Sequence, residues 1–274
     1  MFANGLFVGR VAVVTGAGRG IGAAIARKFA RFGASVALFD TLAADLEKTV
    51  GDIRAAGGTA MGRVVDVTDR PAVEAAMAAA AETLGGIDIL VNNAGIGTVH
   101  ALENMTDEAW DKVLAVNLSG PFNCTRAALP FLKRRPGASV VMVASLAGKR
   151  ASYHGGANYT AAKSGLMGFA RHVAFELAAY GIRVNTICPG PVLTPLIESM
   201  TTHEEREITR RKLPLLRWVM PDDIADAALF FASPGAAACA GTDLDVDAGM
   251  MIAQPTSFVD YFERRRVDWR EPAP

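Results

Sequence analysis

The sequence predicts one doubly wound α/β domain on a parallel sheet, and three features carry that expectation. Short β-branched runs alternate with alanine-rich helical stretches, the runs are apolar at nearly every position, and the first opens directly onto a glycine-rich turn. Seven runs read as strands: Val11–Val14, Ser35–Phe39, Thr59–Val65, Ile87–Val91, Ser139–Ala144, Ile182–Ile187 and Asp243–Val246. A strand with one wet face alternates apolar and polar residues. These do not, which predicts a seven-stranded parallel sheet flanked by helices on both faces.

Helix boundaries carry local signals. Thr68-Asp69-Arg70-Pro71 offers an N-cap and an early proline ahead of a helix over Ala72–Leu84, and Thr106-Asp107-Glu108 opens a helical stretch expected to run through Leu132. The Gly-Pro-rich stretches are too short to be domain linkers, so a single domain over residues 1–249 is expected. The segment 250–274, with Arg264-Arg265-Arg266 and Trp269, lies past the last strand and suits a subunit-contact arm or a frayed end.

Composition narrows the partners. Hydrophobic residues at 51% supply a core, and 28 basic against 28 acidic residues leave no field of one sign to attract nucleic acid or an anionic membrane. Cys124, Cys188 and Cys239 are odd in number and far apart, which suits core thiols in a reducing cytoplasm. His100, His154, His172 and His203 lack metal-ligand spacing, so no metal is expected. Val11–Val14 runs straight into Thr15-Gly16 without a signal-peptide pattern, and no apolar run approaches the ~18 residues of a membrane span, so a soluble, cytoplasmic protein is expected.

The turn after the first strand reads Thr15-Gly16-Ala17-Gly18-Arg19-Gly20-Ile21-Gly22. Glycines there let backbone approach a pyrophosphate, and the following helix supplies free N–H groups and a positive dipole end. From Gly16 the spacing misses GxGxxG, since its third glycine position is Ile21; from Gly18 it fits GxGxxA through Gly20 and Ala23. The second strand runs out at Asp40, where a carboxylate can accept hydrogen bonds from an adenosine ribose and repel a 2′-phosphate, favouring NAD. Arg19 is the residue in the loop able to meet such a phosphate.

Tyr159 and Lys163 are four apart and share a helix face. A phenol with pKa near ~10 is a poor base at neutral pH unless a cation stabilises its anion, and lowering it by ~2 to 3 units takes roughly 3 to 4 kcal/mol of differential interaction. Lys163 and an oxidised nicotinamide ring would be the sources. Ser145 follows a strand, at the edge where doubly wound sheets bind ligands, and its hydroxyl can stabilise a developing alkoxide.

Taken together these motifs resemble the short-chain dehydrogenase/reductase family from about Arg10 to Gly249, with its Rossmann-type fold. Thr15-Gly16-x-x-x-Gly20-Ile21-Gly22 is similar to its glycine loop, and Asn92-Asn93-Ala94-Gly95 to its signature after the fourth strand. Asp66-Val67 resembles the pair that contacts adenine, and Pro189-Gly190 with Val192 and Thr194 the segment that holds the nicotinamide carboxamide. Asn117, Ser145, Tyr159 and Lys163 match four catalytic positions. The resemblance implies that Tyr159 exchanges the proton, Ser145 polarises the substrate oxygen, Lys163 binds the nicotinamide ribose, and Asn117 holds a water linking Lys163 to solvent. It also implies a homotetramer joined through helices starting near Thr106 and Ala157.

Two departures bear on the pocket. Ser145 and Tyr159 are one residue further apart than the family's commonest spacing, so the loop Leu146–Asn158 is expected to bulge, and Asp247-Ala248-Gly249 stands where the family has Asp-Gly-Gly. Ile96, Leu146, Lys149 and His154 are wall candidates, with a lid over roughly 191–217. Its charge run would ordinarily be a solvated helix face; Lys149, Arg150, Arg210 or Arg211 turned inward would imply an anionic or polyol substrate. The expected activity is NAD(H)-dependent interconversion of a secondary alcohol and a ketone. An NADPH-dependent 3-oxoacyl reductase and a non-catalytic NAD-binding sensor or scaffold are the alternatives.

Overall fold

Each inner strand sends alternate residues into two separate cores. From β1 (Val11–Thr15), Ala12 and Val14 pack with Phe29, Leu46, Ile224 and Phe231 on one face, while Val13 joins Met77, Leu132 and Leu166 on the other. β2 (Ser35–Asp40) does the same, with Val36 and Leu38 against Ala37 and Phe39. This arrangement comes from a computed structural model of the chain, which describes residues 3–152 and 155–253 together with 260, 264 and 265.

The sheet holds the seven predicted strands, all parallel, the others being β3 (Ala60–Val64), β4 (Ile89–Asn92), β5 (Ser139–Val143), β6 (Arg183–Pro189) and β7 (Asp243–Val246). Helices α1 (Gly20–Arg31), α2 (Ala43–Ala55) and α9 (Pro221–Ala232) cover one face; α3 (Arg70–Leu84), α5 (Gly120–Leu132) and α6 (Ala157–Leu177) cover the other. The order β3-β2-β1-β4-β5-β6-β7 reverses its winding between β1 and β4, which leaves a crevice beyond their C-terminal ends.

The expectation of strands covered on both faces holds for the inner five and fails at the margins. Beyond Ala60, β3 has Gly62, Arg63 and Val64 exposed, and β7 is only partly covered, because each is an edge strand with a single neighbour. The helix expected from Thr106 to Leu132 is interrupted. α4 (Asp107–Leu114), capped by Thr106 Oγ1 on Ala109 N at 3.2 Å, passes into one π-helical turn, Ala115–Ser119, before α5. Pro121 has no N–H to continue the ladder, and the buried Asn117 of this turn spends its side chain elsewhere.

Among the described residues, two with side chains adopt left-handed backbone, Leu216 (φ 50°) and Ala248 (φ 54°), and they are neighbours in space, since Leu215 N donates to Ala248 O at 3.1 Å. The departure from Asp-Gly-Gly thus keeps the glycine-like backbone and adds a methyl to it. An L residue there costs about 1–2 kcal/mol. Removing the methyl forfeits roughly 0.8 kcal/mol of burial and adds about 0.5–1 kcal/mol of glycine entropy, so the terms nearly cancel. Ala248→Gly should leave the denaturation midpoint almost unchanged, whereas Ala228→Gly, fully buried within α9, should lower stability by about 1–2 kcal/mol. Equal losses in denaturant titrations would mean that Ala248 is unstrained.

Candidate active site

The crevice is stitched at its base by Thr15. Its Oγ1, at the end of β1, accepts from the backbone N–H groups of Asn93 and Ala94, each at 3.0 Å. The Asn93 amide in turn donates to Thr15 O and Gly16 O, both at 3.0 Å. The glycine loop and the β4 exit therefore lie so close that a Cβ on Gly16 (φ 62°) would stand 2.8 Å from Ala94 Cα, and one on Gly22 would overlap the Gly16 carbonyl oxygen.

This cradle fits a dinucleotide phosphate. α3, α4 and α8 (His203–Lys212) have side chains capping their N-termini, from Asp69, Thr106 and Thr202. α1 starts at Arg19 with no side-chain cap and no acid in its first turn, leaving its N–H groups to an anion. Ile21 packs against the core and is only partly buried, so both its backbone and part of its side chain border the cradle. Asp40 lies beside the loop as expected: Oδ2 accepts from Gly18 N at 2.8 Å and Oδ1 from Leu42 N at 3.0 Å, fixing the carboxylate while each oxygen keeps a lone pair.

Other nucleotide-site candidates are placed with varied roles. Asp66 accepts from Thr68 N and Oγ1 at 2.9 and 2.8 Å and does not cap α3; Asp69 does, through Ala72 N at 3.1 Å. Val67 and Val192 are buried, and their carbonyl oxygens accept from Asn123 Nδ2 and Thr194 N, both at 3.0 Å. Gly190 N, just past Pro189, donates to Val246 O at 2.9 Å, and Thr194 caps α7 (Pro195–Met200) with its methyl 3.7 Å from where a Gly20 Cβ would stand. The 189–194 segment thus borders the glycine loop.

At the neighbouring strand ends the four catalytic candidates meet. Lys163, buried in α6, donates from Nζ to Val143 O at 2.9 Å, and its ammonium lies 5.7 Å from the Tyr159 ring centre. Asn117 exchanges two hydrogen bonds with the backbone of Ile96, at 2.8 and 2.7 Å. A Cβ on Gly95 would stand 3.0 Å from Asn117 Oδ1 and 3.5 Å from Lys163 Nζ, which brings the π-turn and α6 to one spot. Ser145 Oγ accepts from Ala147 N at 3.1 Å and keeps its proton to donate.

Electrostatics in this pocket disfavour charge. Burial lowers Lys163 to about 8, against a smaller opposing effect of Cys188. Burial also holds the Tyr159 phenol above its ordinary value, while a hydrogen bond from Ser145 works the other way. The depressed tyrosine expected from Lys163 together with an oxidised nicotinamide ring is therefore not a property of the protein alone. Burial likewise pushes the Cys124 and Cys188 thiols up to about 12, away from reactive thiolate.

Several wall candidates are corrected. Leu146 is buried in the core with Leu166 and Met167, because the turn Leu146–Gly148 folds back under α6, so it does not form the exposed wall expected of it. Lys149 is bound to Asp245 at 2.5 Å and Arg210 holds both carboxylate oxygens of Glu207 at 2.8 Å, so neither turns inward as a bare cation; Arg150 and Arg211 are exposed. His154, and with it part of the expected bulge, lies outside the described residues, as does most of 250–274. Among the described residues no group of His, Cys, Asp or Glu is placed to hold a metal, and no helix is long and apolar enough to cross a membrane.

Thr15 belongs to the glycine-loop motif, but its stitch to the β4 exit was not read from it, and two further residues that motif reading passes over matter here. Thr49 Oγ1, buried in α2, donates to Gly18 O at 2.8 Å and holds the glycine loop from below. Asn158, fully buried, donates to Thr98 Oγ1 at 3.0 Å and Ala109 O at 2.9 Å and accepts from Tyr159 N at 2.8 Å, so it anchors the turn that carries Tyr159. A polar residue beside a catalytic one was the available signal for Asn158; Thr49 offered none.

Comparison with known proteins agrees with this geometry. A family model described as Enoyl-(Acyl carrier protein) reductase matches residues 16–251. The chain is 38% identical over 253 residues to a D-beta-hydroxybutyrate dehydrogenase of Rhizobium meliloti, covering 88% of this chain and 98% of that protein. A 3-oxoacyl-acyl carrier protein reductase of Brucella melitensis, solved with bound NAD, superposes with a TM-score of 0.83 at 34% identity, over 91% of this chain and 94% of that one. An actinorhodin polyketide ketoreductase solved with NADPH gives a TM-score of 0.84 at 37% identity, over 88% and 97%. With a phenol, a hydroxyl and a buried ammonium gathered beside a phosphate cradle, the chain belongs to the short-chain dehydrogenase/reductase family of nicotinamide-dependent alcohol and ketone oxidoreductases.

Proposed function

We propose that the protein interconverts a secondary alcohol and a ketone with NAD(H), Tyr159 acting as general acid and base. The observation that carries this reading is the convergence of Tyr159, Ser145 and Lys163 at the ends of β5 and α6, next to an uncapped helix N-terminus watched by the Asp40 carboxylate. Gly16, Gly18, Arg19, Gly20 and Gly22 would cradle the pyrophosphate, Asp40 the adenosine ribose, Asp66 and Val67 the adenine, and Asn93–Gly95 with 189–194 the nicotinamide half.

When bound, a nicotinamide cofactor would carry the hydride and, in oxidised form, place a positive charge in the pocket. Tyr159, held protonated by burial, is a ready proton donor to a carbonyl oxygen, and Ser145 donates a second hydrogen bond to the same oxygen. In the opposite direction Tyr159 must lose its proton first, and Lys163 supplies the protein's share of the stabilising charge. Asn117, joined to the Ile96 backbone and close to Lys163, is placed to hold a water that returns the proton to solvent.

The similarity to a reductase solved with NAD favours one second reading, reduction of a 3-oxoacyl group, which uses the same residues. A non-catalytic sensor is disfavoured because all four catalytic positions are filled and assembled. We assign the protein to the cytoplasm on its paired charges and core thiols, and the segment 191–217 to a lid over the substrate. Exposed Trp110, Phe122 and Phe175 on α4, α5 and α6 support a homotetramer joined through those helices.

Three outcomes check this reading. Tyr159→Phe should bind NADH nearly as well as the parent while turnover of a panel of secondary alcohols and ketones, followed by NADH absorbance, falls at least about 10²-fold; retained turnover would remove Tyr159 from the proton step. Below pH 8 both folded and unfolded chains hold the Lys163 proton, and between about 8 and the ordinary 10.5 the unfolded chain holds it longer, so this residue's destabilising effect fades as pH rises. The stability difference between Lys163→Met and the parent should accordingly move in the parent's favour across that window in denaturant titrations; a constant difference would mean that Lys163 is not desolvated. In sedimentation velocity the parent should run as a tetramer and Phe175→Glu as a smaller species, and a monomeric parent would overturn the assembly.

A further inference from the structure

The glycine loop contains one basic residue, Arg19, whose guanidinium is the group there able to pair with a 2′-phosphate on an adenosine ribose. In a protein whose Asp40 disfavours that phosphate, an available arginine beside it works against the preference. The structure shows what engages it. Arg19 Nη1 lies 3.9 Å from Oδ2 of Asp45, in the first turn of α2. The turn carrying Arg19 is strapped to the same region: Gly18 N donates to Asp40, Gly18 O accepts from Thr49, and a Cβ on Gly18 would lie 3.0 Å from Asp40 Oδ2 and 3.1 Å from Asp45 Cβ. Two carboxylates from the β2–α2 corner thus flank the loop, one beside Gly18 and the other beside Arg19.

We propose that Asp45 is a positioning residue for cofactor choice, which holds Arg19 against α2 and so withholds the loop's only cation from a 2′-phosphate. The proposal rests on the NAD(H) reading above and adds a second acid to Asp40. Asp45 also sits where an acid favours a helix N-terminus, a role that would serve stability alone and be indifferent to which nucleotide binds. With 58% of the Arg19 side chain and 40% of Asp45 exposed, the pair is worth at most about a fivefold factor in an equilibrium, so the effect must be read as a ratio within a cycle of variants.

The test measures dissociation constants for NADH and NADPH, by nucleotide fluorescence at one low ionic strength, for the parent, Asp45→Asn, Arg19→Ala and the double variant. Asp45→Asn should improve NADPH binding relative to NADH by about two- to fivefold, and the double variant should lose that gain relative to Arg19→Ala. An unchanged ratio in Asp45→Asn overturns the proposal. So does a gain of the same size with Arg19 absent, since Asp45 would then act through its own charge and hold nothing. Failure of the parent to bind NADH would instead remove the cofactor reading on which the proposal stands.

Discussion

Parallel strands cannot be joined by tight turns, so each connection must cross a face of the sheet and return to its starting edge. That constraint shapes the molecule. Winding outward from β1 to β3 and then restarting at β4 on the other side sends the loops after β1 and β4 to opposite faces, and the gap between them is the crevice. It stays narrow because Thr15 and Asn93 tie the two exits together and because Gly16 and Gly22 have no Cβ to hold them apart. The candidate phosphate cradle and the candidate catalytic group are two consequences of one sheet edge.

Electrostatics set the cost of placing chemistry there. Lys163 is buried with one backbone carbonyl as its described hydrogen-bond partner, and burial pulls it toward neutrality while holding the Tyr159 phenol protonated. The protein by itself therefore resists the phenolate that alcohol oxidation requires. A pocket that disfavours charge also magnifies any charge brought into it, so in the proposed reaction the proton step would respond to the state of a bound nicotinamide.

Particular elements show what was legible in the chain. The strands, the Asp69 and Thr106 caps and the glycine loop were readable, since each depends on local chemistry: apolar runs, hydroxyl or carboxylate caps, and backbone freedom. The helix expected to continue from Thr106 was not, because its interruption at Ala115–Ser119 depends on Asn117 finding the Ile96 backbone, a partner distant in sequence. Leu146 looked like pocket wall because it follows Ser145; the chain reverses there and buries it. Lys149 read as a cation that could turn inward, and only folding reveals Asp245 beside it, whereas Arg210 is held by Glu207 three residues earlier on the same helix. Asp40 was correctly placed beside the loop, while Thr49 and Asp45, from the next helix, were silent.

The sequence by itself determined the fold class, the family and the four residues that meet at the candidate active site, because each leaves a short-range signature in residue type, order and spacing. Tertiary structure alone decided how those residues are charged, which neighbours hold them, and which candidate wall residues are buried or already paired. The physical reason is range. Periodicity, capping and glycine content act within a few residues of chain, whereas desolvation, ion pairing and close packing depend on groups that only folding brings together.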